Sequence, residues 1–137
     1  MATKQQSIID AITTLVQATP GIVSATPWKP TPFKPTDCPG VYIADPRAEI
    51  EFIDNEQQAV NLEIMLLIFT AGGTSGASVL NLISAIYTKL KSDETLGGLI
   101  WTMSPVFHEI DLNQTGAIIA AAQMSLRLTY DSSRWGV

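Results

Sequence analysis

The chain alternates most regularly between Gln57 and Thr70, where Val60, Leu62, Ile64, Leu66 and Ile68 recur at every second position. Period two puts these side chains on one face of a β-strand and assigns that face to a core. The opposite face begins with Asn61 and Glu63 and ends with Met65, Leu67 and Phe69, so it passes from polar to apolar along the strand. Its second half is expected to be covered, and a neighbouring subunit is one candidate for the cover. A second alternating segment runs from Ala117 to Tyr130. Ile118, Met124, Leu126, Leu128 and Tyr130 share one face, and Gln123, Ser125, Arg127 and Thr129 the other. Weaker strand signals lie at Ile22 to Ala25, Val41 to Ala44, Ala48 to Ile53, and Trp101 to Leu112 with a bend at Pro105. Asp54-Asn55 and Asn113-Gln114-Thr115-Gly116 supply turn residues.

Two segments change to helical spacing. Thr3 followed by Gln6 forms a capping-box pattern ahead of Ile8, Ile9, Ile12, Leu15 and Val16, and Pro20-Gly21 ends that helix. After the loop Ala71 to Gly76, residues Val79, Leu80, Leu82, Ile83, Ile86, Tyr87 and Leu90 make a wide apolar stripe that stops at Ser92 and Asp93. Five prolines between residues 26 and 39 exclude a helix or central strand there and predict an extended, stiff loop carrying Trp28 and Phe33. Residues 131–137 read as a flexible tail. The predicted fold is α+β, a mainly antiparallel β-sheet with two principal helices packed on one face, in a single domain over residues 1–137.

Composition narrows the functional classes. Of 137 residues, 15% are charged and 46% hydrophobic, whereas an average soluble domain is about 25% charged. Sparse charge fits a surface that meets protein, as in a homo-oligomer, and equally a surface made polar by Thr, Ser, Asn and Gln. The net charge is −5, and six of the thirteen acids lie between Asp45 and Glu63 with only Arg47 to offset them, so a basic nucleic-acid footprint is absent. Cys38 is the sole cysteine, which excludes an intramolecular disulfide and a cysteine-rich zinc site. No run approaches the ~18 apolar residues of a membrane span, and the N-terminus lacks a signal-peptide core, so a cytoplasmic protein without membrane contact is expected.

Candidate chemistry is thin. His108 is the only histidine, alternates with Val106 and Ile110, and has no Gly-x-Ser-x-Gly elbow to serve, so it reads as structural. Cys38 stands between Asp37 and Pro39 without a basic neighbour to activate it. Glu49 and Glu51 point to one side of a strand, the geometry of paired carboxylates or a hard-metal site, but also that of a solvated face. Gly72-Gly73-Thr74-Ser75-Gly76 precedes a helix without the lysine of a phosphate-binding loop. Pro27-Trp28-Lys29-Pro30 and Pro32-Phe33-Lys34-Pro35 superficially match a polyproline ligand, but such matches are common by chance, and a rigid connector whose aromatics pack on the domain or a neighbouring subunit is the favoured reading. No catalytic set, cofactor site or metal site emerges, and no enzyme activity is expected.

The segment Asp93-Glu94-Thr95-Leu96-Gly97-Gly98-Leu99-Ile100-Trp101 after the second helix, and the closing strand Leu126-Arg127-Leu128-Thr129-Tyr130-Asp131, give the chain a resemblance. In a chain of this length and element order they are similar to the tail terminator, or tail-completion, proteins of tailed bacteriophages. That resemblance implies a ring, usually hexameric, at the head-proximal end of the tail tube. The ring stops tube polymerisation and offers a surface to the head connector, so the implied partners are the tail tube protein and a connector or neck protein. Assembly would take place in the host cytoplasm and end in the virion. A closed ring needs two different complementary patches on each subunit. Asn61, Glu63, Met65, Leu67 and Phe69 on the strand, with Trp28 and Phe33 in the proline-rich loop, are the subunit-interface candidates. Glu49 and Glu51 are the lumen-facing candidates, because negative charge lining a channel repels DNA phosphates and lets the genome pass without specific binding. The alternatives are another neck or tube protein, such as a head-tail adaptor or tube subunit, and an unrelated small ligand-binding domain.

Overall fold

Two long antiparallel strands form the backbone of the molecule because their apolar positions match register for register. In the computed structural model, which describes residues 3–27, 35–44, 46–71, 75–111 and 118–133, β4 (Gln57–Ala71) pairs with β6 (Ile118–Ser133) along its whole length. Val60 lies opposite Tyr130, Leu62 opposite Leu128, Ile64 opposite Leu126 and Leu66 opposite Met124, and all eight are at most 1% exposed. The remaining strands are β1 (Ser24–Pro27), β2 (Gly40–Ile43), β3 (Arg47–Phe52) and β5 (Thr102–Ile110). The sheet order is β1-β2-β4-β6-β5, with β3 also paired to β4, below β2 on the same side. Only β1 and β2 run parallel.

Both helices pack on one face, as the sequence predicts. α1 (Lys4–Gln17) starts where the Thr3 side chain accepts a hydrogen bond from the Gln6 backbone N–H (3.1 Å), and it buries Ile8, Ile9, Ile12 and Val16. α2 (Gly76–Lys91) is capped by Ser75, whose hydroxyl accepts from Ser78 N–H (3.2 Å), and it buries Val79, Ile83, Ile86 and Leu90. These side chains join the inward residues of β4 and β6 in one continuous core. The turn between α1 and β1 uses Gly21 at φ +90, where an added Cβ would stand 3.2 Å from Leu82 Cδ2. Gln17 then ties the helix to β1, donating to Val23 O (3.0 Å) and accepting from Ala25 N–H (2.7 Å). At the other end of α1, Lys4 donates to Asp131 O (2.9 Å) and lies over the Tyr130 ring, 5.4 Å from its centroid.

Several expectations need correction. The first strand is paired from Ser24, two residues later than Ile22, with Ile22 N–H still bonded back to Thr19 O (3.2 Å) and Val23 N–H to Pro39 O (2.8 Å), and it takes in Thr26 and Pro27 from the start of the predicted loop. Pro27 is tolerated there at the end of an edge strand. Asp131, Ser132 and Ser133 are not a tail: they pair with Ala59, Gln58 and Gln57. Leu80 leaves the helical stripe and is 51% exposed. The expected bend at Pro105 is present as a register shift between Pro105 and Phe107. A second irregularity was not foreseen: Ala121 is an extra residue between the pairs Ile68–Ala122 and Phe69–Ala120. Trp28, Phe33, Gly72 to Thr74 and the turn at residues 113–116 lie outside the described residues.

Candidate assembly surfaces

The sheet has a second face, and among the described residues no helix is packed on it. The odd positions of β4 point there, and cross-strand register fixes their neighbours. At the lower end, Arg47, Glu63 and Arg127 form one row, and Glu49, Asn61 and Thr129 the next, with Glu51 opposite Ala59. Hydrogen bonds hold the rows: Thr129 Oγ1 donates to Asn61 Oδ1 (2.9 Å) and Ser125 Oγ to Glu63 Oε1 (3.4 Å). Arg47 reaches Glu49 across 3.5 Å in an exposed ion pair of small energetic weight. At the upper end, Tyr42 lies opposite Leu67 and Gly40 opposite Phe69, and the side chains of Tyr42, Met65, Leu67 and Phe69 are only half-buried. A shallow recess of about 200 Å³ opens beside Leu67, walled by Ala122, Gln123, Glu109 and Asp111. Gln123 donates to Glu109 across it (3.1 Å).

The structure therefore brings together residues that the sequence assigns to separate roles. Asn61, Glu63, Met65, Leu67 and Phe69 share one face with Glu49 and Glu51. Along β4 that face passes from polar to apolar, while its lower rows set Arg47 and Arg127 beside the three glutamates and its upper end has Glu109 and Asp111 beside Leu67.

The remaining candidates are dispersed. His108 projects on the helix side, where its Nδ1 lies 3.1 Å from the Tyr87 hydroxyl and the two rings meet edge to face at 5.6 Å, bracing β5 against α2. Burial pushes the Tyr87 hydroxyl pKa up. The Cys38 thiol is pushed up as well, first by burial and then by Asp37, against a smaller pull from the Gly40 backbone, so it stays protonated and unreactive at neutral pH. Among the described residues no group of three or more His, Cys, Asp or Glu is placed to hold a metal, and no helix is long and apolar enough to cross a membrane.

Two further surfaces escaped sequence reading. On the helix side of β3, Ile50 is 64% exposed and Phe52 62%, and Ile53, just past the strand, is 48% exposed. Between the end of α2 and β5 lies a groove of about 200 Å³ with Leu90, Met103, Pro105 and Leu126 in its walls and Lys91 and Glu94 at its rim. The alternation in β3 did carry a signal for the first, since Ile50 and Phe52 interleave with the two glutamates. The groove has no local signal, because residues far apart in the chain build it. No family model matches this chain, and no curated protein matches it in sequence.

Proposed function

We propose that this chain is a structural virion subunit that closes into a ring at the head-proximal end of a phage tail tube, ends tube growth and presents a surface for head attachment. The observation that carries the reading is the second sheet face, on which no helix packs among the described residues and where Tyr42, Met65, Leu67 and Phe69 sit only half-buried in a single copy. A protein low in charge gains by covering such a surface with another chain. The pattern around Leu96-Gly97-Gly98 and the closing Tyr130 strand adds the terminator assignment by resemblance.

On this reading the lower rows of the same face, with Glu49, Glu51 and Glu63 set against Arg47 and Arg127, turn toward the channel, and their carboxylates repel DNA in transit. The partners are further copies of the chain, the tube protein and a head connector, and assembly proceeds in the host cytoplasm before incorporation into the virion. Mass measurement and negative-stain imaging of the purified chain, alone and with tail tubes, test the proposal. Discrete closed rings are expected. Open-ended tubes would instead mark a tube subunit, and a monomer that ignores tube ends would end the proposal. Glu49→Lys with Glu51→Lys is expected to slow genome passage and lower infectivity; unchanged infectivity removes the channel-lining role.

A further inference from the structure

On the second face, cross-strand register sets the side chains in rows that span the sheet from β3 or β2, through β4 and β6, to β5. One row reads Arg47, Glu63, Arg127, Ser104, and another, nearer the apolar end, Tyr42, Leu67, Gln123, Glu109. Between them Ser125 has Met65 on one side and Phe107, 41% exposed, on the other. Among the described residues the ion pairs are Lys4 with Asp131 and Arg47 with Glu49, so Glu63 and Arg127, although neighbours across the strands, form none.

A sheet face that meets the same face of an identical copy does so about a twofold axis. Polarity and charge choose where that axis lies. An axis across the strands lays the apolar rows of one copy on the charged rows of the other. An axis along the strands and over β4 sets each Glu63 against its own equivalent, and one over β6 does the same to Arg127. An axis along the strands between β4 and β6 exchanges the two inner members of every row and the two outer members. Glu63 of each copy then faces Arg127 of the other. Leu67 comes over the other copy's Gln123, at the recess walled by Ala122 and Glu109, and the Tyr42 hydroxyl stands where it can donate to the Glu109 carboxylate. This placement also centres the overlap, because β4 and β6 each have a strand on their outer side. Four strands about 4.8 Å apart and a run of about 30 Å along β4 outline on the order of 600 Å² before side-chain relief is counted. That approaches the roughly 800 Å² per partner of a stable complex.

We infer that the chain, away from a tube, pairs face to face with a second copy about this axis. The pairing rests on the assembly reading above for what displaces it. A ring subunit gives the same face to the tube end and the channel, so pair and ring exclude one another, and a tube end shifts the balance toward the ring. Free chains thereby keep Met65, Leu67 and Phe107 covered until a tube end takes the face.

Charge reversal across the axis tests it. Glu63→Arg alone opposes two cations at each contact and Arg127→Glu alone two carboxylates, so by sedimentation each variant should pair about tenfold or more weakly than the parent chain. An equimolar mixture of the two opposes cation to carboxylate at both contacts and should restore a one-to-one pair, which no change within a single chain can imitate. Both substitutions in one chain should restore pairing with itself and abolish pairing with the parent. That doubly substituted chain keeps opposite charges side by side on β4 and β6, and so carries the test if circular dichroism melts show either single variant unfolded. A parent chain with no two-copy species at its highest soluble concentration, a folded single variant that pairs as well as the parent, or a mixture that pairs no better than its components overturns the inference. Closed rings on tube ends with no pair in the free chain sink the pair and leave the ring reading standing, whereas a rescued pair with tube ends left bare keeps the pair and sinks the ring.

Discussion

Leu96, Gly97 and Gly98 show how a sequence pattern acquires a physical reason at the level of single residues. All three have positive φ, at 50°, 68° and 94°, and they reverse the chain between α2 and β5. Leu96 is 4% exposed, so its side chain is anchored in the core while its backbone holds a conformation that costs an L-residue roughly 1–2 kcal/mol. Asp93 Oδ1 accepts from Gly97 N–H (3.0 Å), and Thr95 O accepts from Gly98 and Ile100, so the turn's backbone donors are satisfied. An added Cβ at Gly97 or Gly98 meets nothing within 4 Å. Gly97→Ala and Gly98→Ala are nevertheless expected to destabilise the fold by about 1–2 kcal/mol each in urea titrations, through φ alone; unchanged midpoints would show that the turn relaxes.

Tyr130 offers a second test at this scale. Its ring is fully buried, and burial raises the hydroxyl pKa above the ordinary 10.0, with a poorly formed hydrogen bond to Gln5 pulling weakly the other way. The folded state therefore keeps this proton after the unfolded chain begins to lose it. The stability tied to it is complete below pH 10 and is lost as pH rises through the raised folded value. Tyr130→Phe should flatten the decline in urea midpoint between about pH 9 and about pH 11, and parallel slopes in the two proteins would exclude the effect.

At the scale of elements, legibility followed periodicity. Strand β4 was readable because its inward set is purely aliphatic and its spacing strict, and the cap of α1 was visible as Thr3, whereas Ser75, the cap of α2, read only as part of a loop. Boundaries were harder where pairing outweighs local preference. Asp131-Ser132-Ser133 has the composition of a turn, yet β4 begins at Gln57 and its side opposite β3 holds those residues in register. The run Ala120-Ala121-Ala122 carried no periodic message at all, since a bulge breaks the alternation that would reveal it. Ala121 is fully buried there, and its carbonyl accepts from Asp111 N–H (2.8 Å). A small side chain is required at that bend, so Ala121→Leu should cost about 1–3 kcal/mol by overpacking; a variant as stable as the parent would point to space the packing does not show.

For the whole molecule, one sheet separates a closed core from a second face whose β4 side chains from Asn61 to Phe69 are only half-buried, and the two faces should respond differently to substitution. Leu67 and Leu66 are neighbours in sequence but lie on opposite sides of β4, half-buried and fully buried respectively. Leu67→Ser is expected to leave the melting temperature of the single chain within a few degrees while weakening association with tube ends, as measured by co-sedimentation. Equal loss of stability from Leu67→Ser and Leu66→Ser would mean that the second face is as closed as the first. The apolar half of that face was legible in the drift of β4 from Asn61 to Phe69, whereas its junction with Glu49 and Glu51 came only from the β3 register.

Gln17 bears on how such a molecule withstands crowding. Its carboxamide donates to Val23 and accepts from Ala25, the two bonds that a peptide group of an adjoining strand would make on either side of Ser24. A side chain thus stands in for a missing seventh strand, and amyloid-like stacking along β1 could begin only after that amide had been evicted.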